Sequence, residues 1–162
     1  MYLDRNIGIY VHIPFCVRKC RYCDFLSFDK DENTYSKYIE ALKKEIYIYS
    51  INTEEKYRVS SIYIGGGTPS ILKGEYIEDI LKCIRMFYNV EENAEITIEV
   101  NPGTITTKKV NVYKRAGINR VSIGLQSTNN EMLKSIEFNG KEASLEYIES
   151  RYRCGIDDSR DA

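Results

Sequence analysis

A chain of 162 residues with 43% hydrophobic content has enough apolar material for one core, so the sequence reads as one domain or part of a larger one. Its 23 basic and 24 acidic residues nearly cancel, which gives no electrostatic reason to expect a nucleic acid or an anionic membrane surface as partner. No apolar run reaches the length of a membrane span and the start, MYLDRNIG, lacks a signal-peptide layout, so the expected location is the cytoplasm. In that reducing compartment, five cysteines suggest metal or redox chemistry and not a disulfide framework.

The elements alternate along the chain. Residues 7–13, IGIYVHI, predict a strand, and Tyr35, Tyr38, Ile39, Leu42, Ile46 and Tyr49 predict a helix entered through a cap at Asn33 or Thr34. Residues 60–67, SSIYIGGG, read as a strand running into a glycine loop, followed by a helical stripe at Ile77, Ile80, Leu81, Ile84 and Phe87. A third strand is expected at 95–100, a third helix at 106–116 closed by Gly117, a fourth strand at 119–126, and more helix from about 129 to 152. Such alternation indicates a parallel sheet of βα units.

The strand faces narrow the architecture. Ile96, Ile98 and Val100 share one face of the third strand and Glu95, Thr97 and Glu99 the other. In the fourth, Val121, Ile123 and Leu125 oppose Ser122, Gly124 and Gln126; in the first, Ile9, Val11 and Ile13 oppose Gly8, Tyr10 and His12. A doubly wound sheet, covered on both sides, would carry near-continuous apolar strands. One apolar and one polar face instead fit a barrel or partial barrel with a binding interior, its functional groups at the carboxyl ends of the strands. That rim collects the cysteine loop after the first strand, Gly65 to Pro69, Glu99 to Pro102, and Gln126.

Cys16, Cys20 and Cys23 supply three soft ligands from one loop, a choice that selects zinc, copper(I) or an iron–sulfur cluster. Structural zinc takes four ligands, and no fourth is evident: His12 sits on a strand, Cys83 on a helix, and Cys154 reads as a buried helix residue. A [4Fe–4S] cluster on three cysteines leaves one iron free for an outside ligand. The glycine loop has neither the G-x-x-x-x-G-K-[ST] layout of a P-loop nor a G-x-G-x-x-G helix entry, so nucleotide phosphate is disfavoured.

The spacing Cys16-x3-Cys20-x-Tyr22-Cys23 resembles the radical S-adenosylmethionine (radical SAM) superfamily, and YVHIPFCVRKCRYCDF, GGGTPS, EVNPG and RVSIGLQS follow in the order of its branch that holds oxygen-independent coproporphyrinogen III oxidases and heme chaperones. The likeness covers about residues 7–135. It implies a partial (βα) barrel of α/β class, cut after about four βα units, with residues 1–162 the amino-terminal part of the core domain, 136–162 divergent and the carboxyl-terminal domain absent. It also implies a [4Fe–4S] cluster on Cys16, Cys20 and Cys23, and S-adenosylmethionine cleaved by one electron to a 5′-deoxyadenosyl radical. Cofactor contacts carried over are Tyr10, Tyr22, Gly66, Gly67, Thr68, Glu99 and Gln126, with Tyr22 beside the adenine, the glycine loop near the methionine amino group and Glu99 on the ribose hydroxyls. His12 reads as a satisfied rim residue.

Phe25 stands where the oxidases resemble one another in a fourth cysteine, which favours the heme chaperone subgroup, with heme bound in a longer form of the protein and a reductant for the cluster as further partners. The alternatives are an oxidase decarboxylating coproporphyrinogen, and, from other classes, a zinc-binding or a non-catalytic βα module. The Gly-Arg-x-His stretch expected after NNEMLKSI is missing; its arginine position falls near Phe138.

Overall fold

The computed structural model describes residues 6–17, 23–24, 26–28, 31–52, 57–125, 127, 129 and 131–132. Strand β1 (Asn6–Ile13), helix α1 (Glu32–Ile51), β2 (Arg58–Gly66), α2 (Gly74–Phe87), β3 (Asn89–Val100), α3 (Thr107–Arg115) and β4 (Arg120–Ile123) follow one another, with a short 3₁₀ turn at Pro69–Ile71. The four strands form one sheet in the order β1-β2-β3-β4, and every neighbouring pair is parallel. Parallel neighbours need a crossover, and each intervening helix supplies one.

Register places like with like across the sheet. Ile9 pairs with Ile62 and Ile62 with Ile96; Val11 pairs with Ile64, Ile64 with Ile98, and Ile98 with Val121. These rows join Ile77, Ile80, Leu81 and Ile84 of α2, Tyr35, Ile39 and Ile46 of α1, and Val110 and Tyr113 of α3 in one core. The helices therefore form a single layer over the apolar face. Full burial of each large aliphatic side chain is worth roughly 1.5–3 kcal/mol. On the opposite face, Tyr10 pairs with Tyr63 and Tyr63 with Thr97. Tyr10 there is 58% exposed, so this side has no helix layer among the described residues.

Several boundaries differ from the sequence expectation. Helix α1 is capped by Asp31, not by Asn33 or Thr34: the Asp31 carboxylate accepts from the Thr34 backbone N–H at 2.9 Å and from its hydroxyl. These bonds, the hydroxyl's first and then the backbone's, lower the Asp31 carboxyl from its ordinary value. Tyr49 and Phe87 end their stripes exposed. Strand β3 begins at Asn89, six residues early, since Asn89 and Val90 pair with Arg58 and Val59, and residues 91–94 of β3 bulge opposite Ser60 before pairing resumes at Ser61 and Glu95. Strand β4 stops at Ile123. Gly117, with φ of 88°, closes α3 as expected. The helix expected over 129–152 falls almost wholly outside the described residues, as does Cys154. Among the described residues no helix is long and apolar enough to cross a membrane.

Candidate cofactor site at the carboxyl rim

The cysteine loop leaves the end of β1 and is closed at its neck. Cys16 N–H donates to the Phe28 carbonyl at 3.0 Å and Phe28 N–H to the Pro14 carbonyl at 2.8 Å, a one-rung parallel bridge between Phe15 and Phe28. Phe15 is buried against the rings of Tyr35 and Tyr38, centroids 4.6 and 5.1 Å away, which ties the neck to α1. Tyr38 adds a hydroxyl bond of 2.6 Å to the His12 carbonyl. Cys16 and Cys23 are both partly buried free thiols. Cys20, Tyr22 and Phe25 lie outside the described residues, and among those described no three His, Cys, Asp or Glu side chains form a metal-holding group.

The glycine loop is built onto this neck. Gly67 N–H donates to the Ile13 carbonyl at 2.9 Å and Thr68 N–H to the Phe15 carbonyl at 2.7 Å, extending the β1–β2 ladder past both strands. A Cβ at Gly67 would stand 2.6 Å from the Phe15 oxygen and 3.0 Å from Cys16 Sγ. Gly66 has φ of 118°, and a Cβ there would stand 2.7 Å from the His12 ring. The sequence reading gave these glycines to close approach by a cofactor; contact with the chain's own β1 and cysteine loop already requires both.

A polar chain runs from the loop into the next βα turn. Cys16 Sγ and Thr68 Oγ1 are 3.5 Å apart, and Asn101 Nδ2 donates to the same Thr68 oxygen at 3.4 Å. Asn101 N–H donates to Ser70 Oγ at 3.1 Å, Ser70 and Thr104 share a hydroxyl bond, and Lys109 Nζ reaches the carbonyls of Ser70 at 2.6 Å and Thr104 at 2.9 Å. Burial pushes the Lys109 ammonium below the usual lysine range. Thr68 and Ser70 are buried, so each needs these partners.

Glu99 lies beside the loop on the polar face. Its Oε1 accepts from the Tyr63 hydroxyl at 2.7 Å and its Oε2 from Gly66 N–H at 3.1 Å. Among the described residues, two donors meet the cost of placing a partly buried carboxylate here. Tyr10 shares a 3.0 Å hydrogen bond with His12 Nδ1 and lies over the Tyr63 ring, centroids 6.1 Å apart. Burial, then the Glu99 charge, raises the Tyr10 phenol. That bond occupies one His12 ring nitrogen.

The structure thus gathers Tyr10, Cys16, Gly66, Gly67, Thr68 and Glu99 at one rim, while Gln126 lies outside the described residues. The soft Cys16 thiol beside a loop with no spare volume for a side chain, and a carboxylate with acceptor capacity left, are compatible with a thiolate-held metal centre next to a polar cofactor. Sequence reasoning missed Tyr63, Ser70 and Lys109, and placed Asn101 on the rim without giving it a role. Strand alternation could have found Tyr63, two residues before Gly65; no local pattern marks Lys109.

Comparison with known proteins points the same way. The model of the radical SAM superfamily matches residues 10–160. The heme chaperone HemW of Buchnera aphidicola from Schizaphis graminum is 43% identical over 142 residues, covering 86% of this chain and 38% of that protein. The heme chaperone HemW of Escherichia coli is 40% identical over 131 residues, covering 80% and 34%. Among solved structures, coproporphyrinogen III oxidase (HemN) from Escherichia coli, described as a radical SAM enzyme, superposes with a TM-score of 0.81 at 30% identity over 92% of this chain and 34% of that one. The chain spans little more than a third of the length of the curated relatives it matches.

Proposed function

Because this chain belongs to the radical SAM superfamily, we propose that it is a heme chaperone-like iron–sulfur protein of heme or porphyrin metabolism, holding a [4Fe–4S] cluster on Cys16, Cys20 and Cys23 and S-adenosylmethionine beside it. The observation that carries the reading is the packing of the glycine loop on the cysteine loop, with Cys16 Sγ 3.5 Å from Thr68 Oγ1 and no room for a Cβ at Gly67. When bound, the cluster supplies one electron to the cofactor's sulfonium.

The protein's own part is to hold and orient. The Phe15–Phe28 neck fixes where the thiolates emerge. Thr68, braced through Asn101 and Ser70, offers a hydroxyl on the cysteine side of the loop. Glu99 presents its remaining lone pairs to the ribose hydroxyls, while Tyr10, Tyr22, Gly66, Gly67 and Gln126 line the rest of the cofactor. Heme or a porphyrin, and a reductant for the cluster, complete the partners, in a cytoplasm that keeps the thiols reduced. Residues 1–162 act as the amino-terminal part of a radical SAM core.

Identity to the two heme chaperones, at 43% and 40%, supports the chaperone over the oxidase. The backbone match to coproporphyrinogen III oxidase keeps radical decarboxylation as the second reading, with the same site.

Iron and sulfide analysis after anaerobic reconstitution tests the site. About four irons per chain, a broad visible absorption band, loss of both in Cys16→Ala or Cys20→Ala, and retention in Cys83→Ala are the expected results. Cys83, whose thiol points at the Lys43 carbonyl across the α1–α2 contact, serves packing. Colourless protein with one bound zinc would replace the proposal with a zinc module.

A further inference from the structure

We infer that Tyr63 is a positioning residue for Glu99, and that Gly65 lacks a side chain so that the Tyr63 hydroxyl and the Glu99 carboxylate can meet above it. The inference rests on the proposed contact between Glu99 and the ribose of S-adenosylmethionine, and it assigns specificity for the ribose hydroxyls to a second residue.

The geometry begins with the ladder. Tyr63 pairs with Thr97 across β2 and β3, so Glu99, two residues on, shares the polar face and lies diagonally from Tyr63. Gly65 occupies the ground between them. A Cβ there would stand 2.8 Å from Tyr63 Cε1 and 3.1 Å from both Cδ and Oε2 of Glu99. Gly65 is not among the described glycines with positive φ, which are Gly66, Gly103 and Gly117, so backbone conformation does not demand it. Space does. The three glycines of the loop thus answer three requirements: room for the Tyr63–Glu99 pair at 65, backbone conformation and the His12 ring at 66, and contact with the cysteine loop at 67.

The pair is held from both sides. Tyr63 Oη at 2.7 Å and Gly66 N at 3.1 Å take one oxygen each, which fixes the plane of the carboxylate and leaves each oxygen an open acceptor position. The Tyr10 ring, near parallel to Tyr63 at an interplanar angle of 23°, limits its swing. Burial, then Glu99 itself, raises the Tyr63 phenol, so it remains a donor throughout the neutral range. A carboxylate already aligned forfeits less side-chain freedom when it receives two hydroxyls.

The test measures equilibrium binding of S-adenosylmethionine, and of its analogue lacking both ribose hydroxyls, to the anaerobically reconstituted full chain. Wild type is expected to prefer S-adenosylmethionine. Tyr63→Phe, with its cluster content unchanged, should weaken that ligand by about 3- to 10-fold, the worth of one hydrogen bond, and leave the analogue untouched. In a Glu99→Gln background the same change should have no further effect. Gly65→Ala keeps the phenol but wedges a methyl between the partners, and should give the same selective loss even if Tyr63→Phe fails to accumulate. Equal weakening of both ligands, or no weakening of either, overturns the inference while leaving Glu99 on the ribose. Wild type that does not distinguish the two ligands, together with Glu99→Gln that binds as wild type, removes the ribose contact itself and the inference with it.

Discussion

The two faces of this sheet are built on different physical terms. On the apolar face, Val59, Ile64 and Ile98 are fully buried against the helices, and what matters is volume and shape. On the polar face, Tyr10, Tyr63 and Glu99 are held by individual hydrogen bonds of 2.7 to 3.1 Å and by ring contact, with solvent close by. The first face stabilises the chain, and the second spends little of that stability to fix a few atoms. Substitutions should therefore divide cleanly: those behind the sheet lower stability, and those in front of it lower ligand affinity.

The largest effect is expected from Ile98→Ala. Removing a side chain with no exposed surface at the centre of the core should cost about 2–5 kcal/mol in urea denaturation. A loss below about 1 kcal/mol would mean that the apolar face is not the main source of stability.

Gly66→Val stands at the boundary between the faces. Its φ of 118° disfavours any side chain by about 1–3 kcal/mol, and the added carbon would displace the His12 ring. Reduced stability and reduced ligand binding should appear together, so this substitution cannot isolate cofactor contact as a sequence-based argument would hope. Binding loss at unaltered stability would show that the loop is shaped by the cofactor alone.

Lys109→Met tests whether the brace behind Thr68 belongs with the first face or the second. Losing its bonds to the Ser70 and Thr104 carbonyls should cost about 1–2 kcal/mol by denaturation. Burial lowers the folded-state pKa of Lys109 below the ordinary lysine value of 10.5, so the unfolded chain binds more protons between the two values and this residue's contribution rises with pH across that window. A wild-type minus Lys109→Met stability difference that falls as pH approaches 10.5 would contradict this.

The smallest change in stability belongs to Tyr63→Phe, under about 1 kcal/mol, alongside its selective loss of ligand affinity. The Tyr63 phenol is raised by burial first and then by its bond to Glu99. Its contribution is therefore fully present below the ordinary tyrosine value of 10.0 and lost only as pH climbs through the higher folded value. Alkaline denaturation of wild type and variant should converge there; a gap that widens with pH would reverse the sign.

Local periodicity in the sequence settled which strands exist, which of their faces is apolar, and where Cys16, Thr68 and Glu99 fall along the chain, because alternation and loop spacing follow from backbone geometry that neighbours alone determine. The ordered motifs likewise carried the family from sequence. The tertiary structure decided what depends on distant partners. The start of β3 at Asn89 rests on pairing with Arg58, across residues as unstrand-like as Glu91 to Ala94. The neck of the cysteine loop rests on Phe28 meeting Pro14 and Cys16. The reason for a glycine at 65 rests on a tyrosine and a glutamate that lie 36 positions apart. Such contacts leave no repeat and no spacing in the chain, since their geometry comes from the register of parallel strands whose crossovers separate them by dozens of residues.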